Sequence, residues 1–246
     1  MGKLRILMIR HADPIYTTDT LTEWGFVEAE MLSRRLRDEE MGKIDYIYIS
    51  PQGRAQDTAR PTIQKVGTPN ETLPWMGENW IYARLKEQES RELDLLDDNA
   101  FLKHPFMVEH EGHLQKYQDI DNGLKALLKK YGIERNEDGY TYRFLPDASD
   151  KTITIALFWH GGTGLQTLAN MLHMSSIRLM ETIGFETTSI TEVVIQENER
   201  GYSFPMIVRM NDNAHKKTYL PELWNELSED VKQRISETQG IAVYGE

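Results

Sequence analysis

The chain has 246 residues, 39% of them hydrophobic with five tryptophans, and no apolar run nears the roughly 20 residues of a membrane span, which sets aside a transmembrane protein. Lys and Arg number 28 against 39 Asp and Glu, a net charge of −11, so the sign argues against nucleic acid or an anionic membrane surface as partner and leaves room for a small anion held by a local arginine cluster. The absence of cysteine excludes a disulfide framework, a thiolate nucleophile and a Cys-ligated metal, and fits a reducing compartment. The opening MGKLRILMIRH has too short an apolar stretch for a signal peptide and Ile6 breaks a myristoylation pattern, so a cytoplasmic protein is expected.

In chain order, LRILMI (4–9) reads as a buried strand that stops at Arg10, His11, Asp13 and Pro14. A helix follows over about 22–40, with Val27, Met31, Leu32 and Leu36 at helical spacing. IDYIYIS (44–50) is a second strand, and Ala55, Ala59, Ile63 and Val66 mark a second helix that Pro61 must start, bend or interrupt. Between about 84 and 150 the pattern becomes charged and irregular, with one amphipathic helix near His113–Tyr131 and a short hairpin at Asp138-Gly139; this is an insertion or lid on a single domain. TITIALFW (152–159) is the strongest strand, and a helix through Leu165, Leu168, Ala169 and Leu172 follows a glycine-rich turn. Strands at 189–196 and 203–210 and a closing helix starting near Pro221, with Leu223, Leu227, Val231 and Ile235 inside, complete the chain. The βαβ alternation predicts a largely parallel sheet with helices on both faces.

Ligands in such sheets gather beyond the carboxyl ends of the strands, at helix N-termini. The three best strands end in Arg10 and His11, in SPQGRAQDTA with Arg54, and in His160 followed by Gly161 and Gly162. Guanidinium forks match phosphate oxygens, glycines admit an oxyanion to backbone N–H groups, and a histidine flanked by cations stays neutral and nucleophilic, so these residues describe a phosphate pocket.

RHA, SPxxRAxxTA and HGG, together with LTEWGFVEAEMLSRRL, resemble the histidine phosphatase superfamily, the group that includes phosphoglycerate mutases, over nearly the whole chain outside 84–150. The resemblance implies a three-layer α/β/α fold with a largely parallel central sheet, phosphoglycerate mutase-like, carrying an inserted lid segment. It implies that His11 becomes the phosphohistidine, that Arg10, Arg54 and His160 hold the phosphoryl oxygens with Gly161 beside them, and that no cofactor or metal is needed. The general acid it implies falls on Glu78, with Glu87 in RLKE the competing position; Trp75 and Trp80 are placed to desolvate the carboxyl group. Ala12 replaces the usual glycine, Thr17 aligns with an asparagine of many members, and Asp13 is left as a turn or cap residue.

Plainer readings stand beside these. Arg54 could pair with Asp57 on a solvated helix face, Glu78 could be a surface carboxylate, Trp159 is core, and His215 in NDNAH belongs to a structural turn. His110, Glu111 and His113 tempt a metal reading but lack a third well-spaced ligand, so a lid or surface helix is expected there. The expected function is a phosphomonoesterase acting on a small phosphorylated metabolite. The alternatives are mutase-type transfer to a second hydroxyl, a phospholigand-binding protein without turnover, and metal-dependent hydrolysis through His11, Asp13 and the insertion histidines.

Overall fold

In the computed structural model, which describes residues 1–78, 98–109, 112–233 and 236, the run KLRILMIR forms β1 (Lys3–Arg10). Leu4, Ile6 and Met8 on one face and Leu7 and Ile9 on the other are all buried, as a strand covered by helices on both sides requires. A small hairpin, β2 (Pro14–Ile15) and β3 (Thr20–Leu21), leads into α1 (Glu23–Arg35), whose N-terminus is capped by the Thr22 side chain accepting from Gly25 N–H. The helix stops earlier than the apolar spacing suggests, because the chain turns through a 3₁₀ segment at Glu39–Met41 that buries Met41 before β4 (Tyr46–Ile49).

Next come α2 (Gly53–Val66) and the short strand β5 (Asn70–Thr72). Pro61 lies inside α2 without ending it, and the helix closes at Gly67, whose left-handed φ of 65° suits glycine. Helices α3 (Asp98–Lys103), α4 (Pro105–Val108) and α5 (His113–Lys130) precede a hairpin, β6 (Ile133–Arg135) and β7 (Tyr142–Phe144). As expected, its turn uses Asp138-Gly139, with Asp138 accepting from the N–H groups of Tyr140 and Thr141 and Gly139 at φ 76°. The chain then runs β8 (Thr152–Trp159), α6 (Gly161–Leu172), α7 (Ser176–Thr182), β9 (Ile190–Gln196), β10 (Pro205–Asp212) and α8 (Ala214–Leu223).

The main sheet has the order β10-β9-β1-β8-β4-β5. The pairings β1–β8, β8–β4 and β4–β5 are parallel, while β9 and β10 add antiparallel strands at one edge. Pro205, which has no N–H to donate, starts the edge strand, where it costs no ladder bond. One face packs Ile6, Met8, Ile155 and Leu157 against Leu124 and Leu128 of α5 and Leu165 and Leu168 of α6. The other packs Leu7, Ile9, Ala156 and Phe158 against Leu32 and Leu36 at the end of α1 and Ala55 and Ala59 of α2. The result is the three-layer α/β/α arrangement, and α5, in the segment read as an insertion, shares one of its helical layers with α6.

The closing helix differs from the expectation. It begins at Ala214, seven residues before Pro221, and Pro221 sits inside its last turn, where the missing donor is followed by only two helical residues. Leu223 and Val231 nevertheless pack with Met31 and Leu220, and Ile235 lies outside the described residues. Among the described residues, no helix is long and apolar enough to cross a membrane.

Helix α5 meets the 3₁₀ turn Pro74–Met76 after β5 through a tight contact: a Cβ added to Gly123 would run into the Trp75 ring. Helix propensity alone favours alanine at such a site by about 1 kcal/mol, yet overpacking of a filled core costs about 1–3 kcal/mol. Gly123→Ala is therefore expected to lower stability in urea denaturation; a variant more stable than wild type contradicts this packing.

Candidate active site

The parallel ladder decides which residues meet. Arg10 is in register with Trp159, and Ile49 with Phe158, so residues 11, 50 and 160 leave neighbouring strands at the same edge. His11 N–H donates to the Trp159 carbonyl at 2.8 Å and Ser50 N–H to the Phe158 carbonyl at 2.9 Å, which carries the ladder one step past the strands. The imidazoles of His11 and His160 come to 5.1 Å between ring centroids, both fully buried. The loop of His11 is tied from behind. Ala12 N–H donates to Thr58 Oγ1 at 2.9 Å, Asp13 N–H to Glu28 Oε2 at 2.7 Å, and Thr188 N–H to the Arg10 carbonyl at 3.0 Å.

His11 Nδ1 lies 2.8 Å from the carbonyl of its neighbour Ala12. A carbonyl only accepts, so Nδ1 carries the proton and Nε2 keeps its lone pair. Burial pushes the His11 pKa down to about 3, with the guanidinium groups of Arg10 and Arg54 adding to the effect. Burial is thus the larger cause of the neutral imidazole, and the flanking cations expected from sequence come second. His160, whose Nε2 sits 2.7 Å from Ser50 Oγ, is pushed to about 2, again mainly by burial and then by His11, Arg54 and Arg10.

Arg54 is buried in the first turn of α2 and pairs with Asp19, whose other carboxylate oxygen accepts from Gly53 N–H at 2.7 Å. Asp57 is engaged elsewhere, by Arg60 at 2.6 Å and by Thr20. Arg10 donates through Nη1 to the Phe185 carbonyl and presents Nε, which has no hydrogen-bond partner among the described residues, toward Gly161 at the start of α6. Glu78 reaches the same place: its carboxylate accepts from Thr163 N–H at 3.2 Å and lies 3.9 Å from His160 Nδ1. Its own N–H is held by Gln52 Oε1 at 2.7 Å, and Thr163 Oγ1 ties the preceding Gly77 carbonyl at 2.7 Å. One donor atom from each of His11, Glu78 and His160 lies within 4.8 Å of the others. That spacing also fits a metal ion, but the two arginines and the N-terminus of α6 set a positive potential that favours an anion.

The family model of the histidine phosphatase superfamily (branch 1) matches residues 6–213. The chain belongs to that superfamily. No curated protein matches it. Among solved structures, a mutant of phosphoserine phosphatase from Entamoeba histolytica, in complex with phosphoserine, is 19% identical with a TM-score of 0.55, covering 86% of this chain and 98% of its own. Alpha-ribazole phosphatase from Shigella flexneri is 19% identical with a TM-score of 0.54 over 85% of this chain and 96% of its own. Mycobacterial glucosyl-3-phosphoglycerate phosphatase is 16% identical with a TM-score of 0.55 over 85% and 99%. At these identities the likeness is one of fold.

Of the residues singled out in this histidine phosphatase from sequence, Arg10, His11, Arg54, Glu78, His160 and Gly161 converge on one pocket. Thr17 is exposed, and Asp13 anchors the start of α1 by accepting from Thr22 Oγ1 at 2.7 Å. His215 is buried against Thr188 Oγ1 at 3.0 Å, a structural position behind the loop. Glu87, Trp80, His110 and Glu111 lie outside the described residues, while His113 is buried at the start of α5. Sequence reasoning missed Asp19 and Glu28, and it gave no role to Ser50 and Thr58, which stand inside the SPxxRAxxTA motif. Glu28 is 1% exposed and also accepts from Thr187 Oγ1 and from Lys216 Nζ at 2.6 Å, and its only sequence signal is a carboxylate on the apolar side of α1.

His11, His160 and His215 are all held far below 6.5, at about 3, about 2 and about 3. The unfolded chain takes up these protons near pH 6.5 and the folded chain does not. Stability is therefore full above that pH and falls as the pH drops toward 3, by about 1.4 kcal/mol per pH unit for each histidine. Urea denaturation at pH 7, 6 and 5 is expected to show this steep loss, and a flat profile contradicts neutral burial of the three rings.

Proposed function

We propose that this histidine phosphatase is a phosphomonoesterase that hydrolyses a small phosphorylated substrate through a phosphohistidine on His11. The observation that carries the reading is the tautomer of His11. Its Nδ1–H is committed to the Ala12 carbonyl, so the unprotonated Nε2 is available beside Glu78 and His160. In the first step Nε2 bonds to phosphorus as the ester P–O bond breaks, and the departing oxygen takes a proton from the Glu78 carboxyl group. In the second, water attacks phosphorus and gives a proton back to the Glu78 carboxylate. The P–N bond then breaks, and inorganic phosphate leaves with His11 restored.

Arg10, Arg54, His160 and the first N–H groups of α6 surround the charge that spreads over the phosphoryl oxygens, and such preorganised donors supply most of the rate in reactions of this kind. Binding a dianion also raises the proton affinity of His160, so its low value without ligand is compatible with a donor role in the complex. The three similar solved proteins are named as phosphatases, which supports release to water over return to a second hydroxyl.

A panel of phosphorylated metabolites, assayed for inorganic phosphate with a chelator present, tests this. Wild type is expected to turn over and to yield an acid-labile phosphoprotein on rapid quenching, and His11→Ala to lose both. Glu78→Gln is expected to slow alkyl esters by about 10²-fold, the usual worth of a general acid, while sparing p-nitrophenyl phosphate, whose leaving group needs no proton. If Glu87→Gln gives that pattern instead, the acid is Glu87; if the chelator abolishes turnover, the metal-free scheme fails.

A further inference from the structure

Lys116, in the first turn of α5, belongs to none of the motifs above, yet its side chain reaches the pocket. Its Nζ lies 3.7 Å from the position that a Cβ on Gly77 would take, beside Glu78. The ammonium is half-buried, which lowers its pKa, and Asp119 and Glu78 act on it without an ion-pair contact. It is also close enough to His160 to help hold that ring neutral. Among the described residues it takes part in no ion pair, an expensive state for a partly desolvated cation unless an anion is to meet it.

Its position is fixed from its own neighbour. The Tyr117 carbonyl accepts from Gln166 Nε2 at 3.2 Å and the Tyr117 hydroxyl donates to Asn170 Oδ1 at 3.3 Å, which clamps α5 onto α6, the helix that starts at the phosphate site. A substrate with its phosphorus at His11 must place the leaving oxygen at Glu78, so whatever that oxygen carries continues past Glu78 toward Lys116. We infer that Lys116 determines specificity by binding a carboxylate on the substrate, one or two carbons beyond the ester oxygen. One ammonium balances one carboxylate, while the phosphoryl charge is met separately by Arg10 and Arg54.

The assignment rests on the phosphatase reading of the same pocket, and binding to an inactive variant separates the two. Calorimetry on His11→Ala with 2-phosphoglycolate and with ethyl phosphate, which lacks the carboxylate, is expected to show at least tenfold tighter binding of the former. In His11→Ala/Lys116→Met that ratio is expected to fall close to one, and in His11→Ala/Lys116→Arg, which keeps the charge, to stay well above one. Equal binding of the two ligands to His11→Ala overturns the assignment without any change at position 116, and so does a preference that survives Lys116→Met. If the preference is found but wild type releases phosphate from no member of the metabolite panel, the phosphatase reading falls and the assignment of Lys116 stands.

Discussion

The parallel pairing of β8 between β1 and β4 is the constraint on which the pocket depends. Arg10 opposite Trp159 and Ile49 opposite Phe158 force the next residues of three strands, His11, Ser50 and His160, to emerge together. A slip of one residue in either pairing would turn Ile6, Met8 and Leu157 away from α5 and α6 as well as part the histidines, so core packing and site assembly enforce the same register. The geometry of the pocket is therefore as stable as the centre of the sheet, which suits the tetrahedral anion proposed for it.

Charge in the pocket is arranged by which buried group has a counter-ion: Arg54 is as buried as the two histidines, but a carboxylate faces it. The imidazoles sit where water cannot solvate a cation and stay neutral, whereas Arg54 is paired with Asp19, and Arg10 is steadied by the Phe185 carbonyl. Glu28 serves the same end from behind the His11 loop. Three donors, from Asp13, Thr187 and Lys216, meet its buried carboxylate and link α1, β1, the turn before β9 and α8 into one support. That support holds the loop whose Ala12 carbonyl sets the tautomer of His11 and with it the position of the lone pair.

The strands, the helices that flank them and the residues at strand ends were legible in the sequence because each rests on a local pattern: period 2 or 3.6, a glycine pair, an arginine three residues after a proline. The partners of those residues were not. Asp19 finds Arg54 across 35 positions and Glu28 finds Thr187 across 159, and nothing in either local stretch marks the match. Asp57, in contrast, stood one helical turn from Arg54 and was the natural partner by spacing, but the side chain of Arg54 turns inward and leaves Asp57 to Arg60. The position of Pro221 misled for a related reason: proline favours a helix start locally, and here the packing of Leu220 and Leu223 against Met31 holds it within a last turn.

The site also divides in a way the chain order explains. The residues proposed to hold the phosphoryl group come from the ends of β1 and β8 and the first turn of α2, whereas Glu78 and Lys116 come from the connection between β5 and β8, whose described residues are tied to α6 by Glu78 and Gly77 at Thr163 and by Tyr117 at Gln166 and Asn170, and to the start of α2 by Glu78 N–H at Gln52. Substitutions along α5 can reshape what lies beyond the leaving oxygen while the hydrogen bonds that orient His11 remain untouched, because none of those bonds involves α5. On the proposed reading the fold thereby separates His11, the nucleophile, from Glu78 and Lys116 on the leaving-group side, and α6, which His160 precedes and which Thr163, Gln166 and Asn170 tie to that side, keeps the two aligned.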